Sequence, residues 1–163
     1  MKLALVCIFG LAAAAASGQT TTHKHYEKSA EADKPAPTGE VAPRLQSLGK
    51  HTFPVRTKSA TAQLFVNQGV NLAYGFNHAE AGRAFREAAR LDPACAMAYW
   101  GQALVLGPNI NAPMTPDDEP KAYALAQKAV ALQSRASARE RAYIGALALI
   151  LPDLHGRDRP SHQ

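Results

Sequence analysis

The chain has 163 residues, a net charge of +5 at neutral pH, and 47% hydrophobic but only 7% aromatic residues. That length holds one domain, and a composition rich in alanine and poor in aromatics favours helix over sheet. Basic residues are mixed with acids and never alternate with aromatics, which argues against a nucleic-acid face.

Met1 and Lys2 open the chain with a positive start, residues 3–16 are uncharged and largely apolar, and Ser17 and Gly18 are small. This is the layout of a secretory signal peptide, assigned to residues 1–19. The apolar run is shorter than the roughly 20 residues a membrane span needs. Cys7 lies inside it rather than after it, against a lipoprotein. The expectation is a periplasmic or secreted protein with no membrane span after cleavage; the alternative is an uncleaved N-terminal membrane anchor. Cleavage leaves Cys95 as a single thiol, unable to form an internal disulfide and read as a small core residue.

Residues 20–58 read as a flexible tether passing into an extended lead-in. Up to about residue 45 the segment is polar and proline-dotted, with no apolar period. His23 and His25 belong to this solvated part. Farther on, Pro54 biases Phe53 away from helix, and Phe53 and Val55 are expected to cover one end of a helical array.

From Ser59, an N-cap residue, the pattern is helical. Ala62, Phe65, Val66, Gly69, Leu72, Ala73 and Phe76 fall three or four apart, on one face. Asn77 with Glu80 resembles a capping box opening a second helix, whose inner face is Ala81, Ala84, Phe85, Ala88 and Leu91. Glu87 is expected on its outer face, paired with Arg83 or Arg90. Asp92 and Pro93 stop it. A third helix is predicted over residues 94–106, followed by a loop rich in proline and asparagine. A fourth is predicted over residues 119–133, with Asp117, Asp118 and Glu119 at the end where the helix dipole favours negative charge. Ser137 and Glu140 form a second capping box, opening a fifth helix that reaches about Ile150. Residues 151–163 have no period and read as a disordered tail.

Residues 62–95 span 34 residues and repeat in kind. Phe65 is the large residue early in the first helix and Gly69 the small one at a close crossing. Ala81, Phe85 and Ala88 form a small-large-small ridge, and Pro93 ends the unit. A helix crossing at short distance needs a small residue on one side and a ring to fill the gap on the other. In a second unit, from Ala96, Tyr99 takes the place of Phe65 and Ala103 that of Gly69. Ala126 stands where a ring is expected, so its second helix should pack more loosely.

This pattern resembles the tetratricopeptide repeat (TPR). More narrowly, residues 48–150 resemble a family of exported bacterial TPR proteins. The segments HTFPVRTKSATAQLFVNQGVNLAYGFNHAEAGRAFREAARLDP and CAMAYWGQALVLGPNINAP carry the resemblance. It implies an all-α, right-handed α-solenoid of about two and a half repeats over residues 59–150, acting as a non-catalytic protein-protein interaction module. Such proteins tend to be much longer, so the chain is expected to be an N-terminal portion or a short relative. Helix five would then expose an apolar edge of Tyr143, Ile144 and Leu147, open to self-association.

By repeat position, the groove that binds a protein or peptide partner would be lined by Gln63, Val66, Val70, Tyr74, Met97, Trp100 and Leu104. The Lys and Asn that grip a carboxylate tail in chaperone-binding TPRs are replaced by Val66 and Val70, which excludes that partner. The apolar lining suits an amphipathic helix or a hydrophobic segment. The alternative is a small-molecule or metal site if Tyr74, His78, Cys95, Trp100, Asn109 and Asn111 converge. His51, His78 and Cys95 would then be the metal-ligand candidates. None of them has a recognised ligand spacing, and no metal or other cofactor is assigned. There is no phosphate-cradling glycine loop, no His-Glu-x-x-His and no marked nucleophile.

Overall fold

The computed structural model describes residues 38–111 and 113–155. The signal-peptide assignment, the first half of the tether, and the tail beyond residue 155 lie outside the described residues. Those described form five α-helices and no β-strand: α1 (Ala60–Tyr74), α2 (His78–Leu91), α3 (Ala96–Leu106), α4 (Glu119–Ala131) and α5 (Ala138–His155). A 3-10 turn, Gln133–Arg135, links α4 to α5. None of these helices is long and apolar enough to cross a membrane.

Most helix ends are set by local chemistry. Ser59 Oγ accepts from the Ala62 N–H at 3.1 Å, and Asn77 Oδ1 accepts from the Glu80 N–H at 3.4 Å. At α5 the capping box closes both ways. Ser137 Oγ accepts from the Glu140 N–H at 3.3 Å, and Glu140 Oε2 accepts from the Ser137 N–H at 2.6 Å. The Asn77–Glu80 pair does not close this way, because Glu80 turns to pair with Arg83. α1 stops two residues short of Phe76. There the Asn77 N–H reaches the Leu72 carbonyl at 2.9 Å and the Phe76 N–H reaches that of Ala73 at 3.1 Å. This closure puts Phe76 in the left-handed region, at φ 59°, where glycine is usual. α3 begins at Ala96 rather than Ala94. The Asp92 carboxylate accepts from the Ala94 N–H at 3.0 Å and the Asp92 carbonyl accepts from the Cys95 N–H at 3.0 Å. That turn occupies the two residues the apolar pattern assigns to helix.

The helices pack in sequence, α1 on α2, α2 on α3, α3 on α4, α4 on α5. α1 and α5 both also touch α3, so α1, α3 and α5 form one layer and α2 and α4 back it. The fulcrum is Phe85 of α2, fully buried. A Cβ added at Gly69 would lie 2.7 Å from its ring, and one at Gly101 only 2.3 Å. The ring is thus gripped by glycines from α1 and α3, and Gly101 is a contact the repeat spacing did not single out. Phe65, Ala81, Ala88, Tyr99 and Ala103 are buried, and Pro93 is exposed in the turn. Ala126 is buried despite lacking a ring. The Tyr99 ring carries Lys128 Nζ above it at 4.3 Å.

Two expectations are corrected. Glu87 is not on an outer face: it is buried, bonded to Arg90 at 2.9 Å and to the Val41 N–H at 2.9 Å. α5 continues past Ile150 to His155, and Ile144, Leu147 and Leu151 are buried. The exposed apolar residues of α5 are instead Leu149, Ile150 and, in part, Tyr143.

Candidate functional site

The lead-in does not cap an end of the array. Residues 51–58 run as an extended strap across the α1–α3–α5 layer, antiparallel to α1. Gln63, Asn67 and Asn71 are spaced by four, so their carboxamides stand in one row. Asn71 Nδ2 donates to the His51 carbonyl at 3.1 Å. Asn67 Oδ1 accepts from the Phe53 N–H at 2.9 Å. Gln63 does both, accepting from the Val55 N–H at 2.8 Å and donating to the Phe53 carbonyl at 2.9 Å. Gln63 also donates to Asn67 Oδ1 at 2.9 Å, which fixes both amides in register.

Carboxylates hold the far end of the strap. Glu140 Oε1 accepts from the Arg56 N–H at 2.7 Å. Asp92 Oδ2 accepts from the Thr57 hydroxyl at 2.6 Å and the Lys58 N–H at 3.0 Å. Burial works to raise the Asp92 carboxyl, but these bonds and the one from Ala94 outweigh it and hold the group below its ordinary value. The tether is ordered at its end too. Gln68 accepts from the Leu45 N–H and donates to the Pro43 carbonyl, both at 2.9 Å. Ala42 is buried. Glu87, which takes the Val41 N–H, is lowered chiefly by its bond to Arg90, against the opposing effect of burial. Ser47 at φ 63° and Gly49 at φ 87° turn the chain between these two runs.

Side chains seat the strap between α3 and α5. The Phe53 ring stacks on Trp100 with centroids 5.9 Å apart and planes 8° from parallel. Tyr143 meets both rings edge-on at 5.6 Å. The Arg139 guanidinium lies 5.1 Å over Phe53 and donates to the Pro54 carbonyl at 2.5 Å.

Of the groove residues expected from repeat position, Gln63 and Trp100 face the strap. Val66, Val70 and Met97 are buried in the core and offer no open lining, Leu104 is partly buried, and Tyr74 is 83% exposed at the end of α1. Asn67, Asn71, Glu140 and Asp92 carry bonds that sequence reasoning missed. The i, i+4, i+8 row of carboxamides was the available signal, of which repeat position singled out Gln63 alone.

The alternative constellation separates. His78 Nδ1 lies 3.3 Å from Asn109 Nδ2, and Asn111 N–H donates to Asn109 Oδ1 at 2.9 Å. All three line a cavity of about 1000 Å³ beside the start of α2, with Arg86, Met114 and Lys121. Cys95 is at the other end of α2, roughly 20 Å of helix away at about 1.5 Å per residue, and His51 lies on the strap. Cys95 is buried, and desolvation pushes its thiol up to about 11, a neutral group unsuited to ligation or attack. Among the described residues no three His, Cys, Asp or Glu side chains gather as a metal site. Comparison of the chain with protein-family models, curated proteins and solved structures gives no match.

Proposed function

We propose that the chain is a non-catalytic TPR-type interaction module, exported from the cytoplasm, that holds an extended protein segment across its α1–α3–α5 layer. The observation that carries this is the row Gln63, Asn67 and Asn71, bonded to the peptide groups of residues 51–55. Carboxamides that reach only the backbone of the strap accept any chain in extended form, which suits an extended peptide rather than a helix. This replaces the amphipathic-helix partner expected from an apolar lining. The sequence repeat of residues 62–95 and the glycine-gripped Phe85 ring support the TPR-type reading.

An array of unrelated twelve-residue peptides probed with the chain tests it. Binding to a subset of extended peptides by the chain carrying Phe53→Ala, which loosens the strap, reduced about tenfold when the double change Gln63→Ala and Asn67→Ala is added, is the expected result, since each lost backbone bond is worth roughly 1 kcal/mol. No binding to any peptide, or binding indifferent to the double change, contradicts it. A second reading, small-molecule binding, is favoured by the cavity at His78 and Asn109 rather than by the residues around Cys95.

A further inference from the structure

We propose that residues 51–58 are a built-in occupant of the groove, and that its external partner is an extended segment of the same chemistry: an aromatic residue, then proline, then an aliphatic one, followed by basic residues. This rests on the reading of the layer as a peptide-holding surface and adds which peptide it takes.

The strap shows what each position accepts. The row of carboxamides binds the N–H groups of Phe53 and Val55. The intervening residue donates no bond to that row, so proline loses nothing at position 54 and biases residue 53 toward the extended form. Selectivity comes from side chains. Trp100, Tyr143 and Arg139 build a three-sided aromatic and cationic seat around the Phe53 ring. Such a seat takes a ring and wastes an aliphatic side chain. At the far end the receiving groups are the carboxylates Glu140 and Asp92, which take the Arg56 and Lys58 N–H groups. The Lys58 charge is complementary to Asp92 at that end.

The occupant is also replaceable in kind. Phe53 and Val55 are only partly buried, and every bond the row makes to the strap goes to backbone that any peptide of this form would present. Tethering gives the strap a high effective concentration, so an external segment binds with its affinity reduced by the fraction of chains whose groove is open. Weakening the strap should therefore tighten external binding, the reverse of what a lost structural contact does.

The probe is a fluorescent peptide of residues 50–58, titrated by anisotropy into the full chain and into its Phe53→Ala variant. The expected result is binding at least about tenfold tighter to the variant, the seat having lost its competing ring. The peptide carrying alanine in place of phenylalanine should bind neither chain. Equal affinity for the two chains, or no binding to a variant that remains helical by circular dichroism, overturns the proposal. Should the variant fail to fold, the unaltered chain decides. Excess peptide must accelerate exchange of the chain's own Phe53 and Val55 amides, and unchanged exchange overturns the proposal. A dimer of the unaltered chain with straps exchanged between copies also overturns it, by making the occupant a second copy. If the array finds extended binders but this peptide is not among them, the peptide-holding reading stands and the stated partner chemistry fails.

Discussion

At the scale of single residues, Phe85 decides the packing of three helices. Its ring fills the space that Gly69 and Gly101 leave open, and no other side chain fits at either crossing without movement. Gly101→Ala puts a methyl 2.3 Å from a fully buried ring and Gly69→Ala puts one at 2.7 Å. The helix-propensity gain of alanine, up to about 1 kcal/mol, does not offset an overpacking penalty of about 1–3 kcal/mol. Urea denaturation should show both variants destabilised, Gly101→Ala more. Gly145→Ala on α5 has open space around its Cβ and should be neutral or stabilising. A stabilised Gly101→Ala variant would contradict the packing described. Gly69 was legible in the sequence because the repeat spacing points at it. Gly101 was not, since the same spacing carried forward lands on Ala103. The ring reaches Gly101 from the helix before it, a contact with α3 that a pattern read over residues 62–95 does not contain.

At the scale of elements, the helices were legible and the strap was not. Apolar period, Ser59, Asn77 and the Ser137–Glu140 box marked the helices to within two residues at most ends, because those signals act locally. Residues 41–58 have no period, and what orders them comes from amides and carboxylates 8 to 84 positions later in the chain. The strap's anchoring carries a pH signature. Asp92 and Glu87 are both held below their ordinary values of about 4, so the folded form binds fewer protons than the unfolded one. The stabilisation they supply is complete at neutral pH and is lost as pH falls through the lowered values. Asp92→Asn should cost about 1 kcal/mol at pH 7 and much less once acid has protonated the native carboxyl. Urea unfolding at the two pH values checks this, and an equal loss at both would remove Asp92 as a charged latch. The buried thiol adds no such dependence near neutrality, since Cys95 stays protonated well above pH 8.

At the scale of the molecule, the strap changes what the array is. The sequence leads to an open, apolar groove. In the structure the lining valines and Met97 are core, and the face under the strap is amides, carboxylates and an aromatic seat already filled from within the chain. The apolar end of the array also lies elsewhere than expected. Burial of Ile144 and Leu147 moves it to Leu149, 77% exposed, and Ile150. These shifts have one physical origin. Repeat position says which helix faces the groove, but a helix face 100° wide holds several stripes, and only packing against α2 and α3 decides which stripe remains outside.

Residues 51–58 lie bonded across the α1–α3–α5 layer. Amide hydrogen exchange on the unaltered chain at neutral pH reads this directly. The Phe53, Val55 and Arg56 amides are expected to be protected to a degree comparable with the α1 amides they lie beside, while Lys50 and Thr52 exchange freely. Exchange of Phe53 and Val55 at the rate of an unstructured peptide would mean that the strap does not occupy the groove.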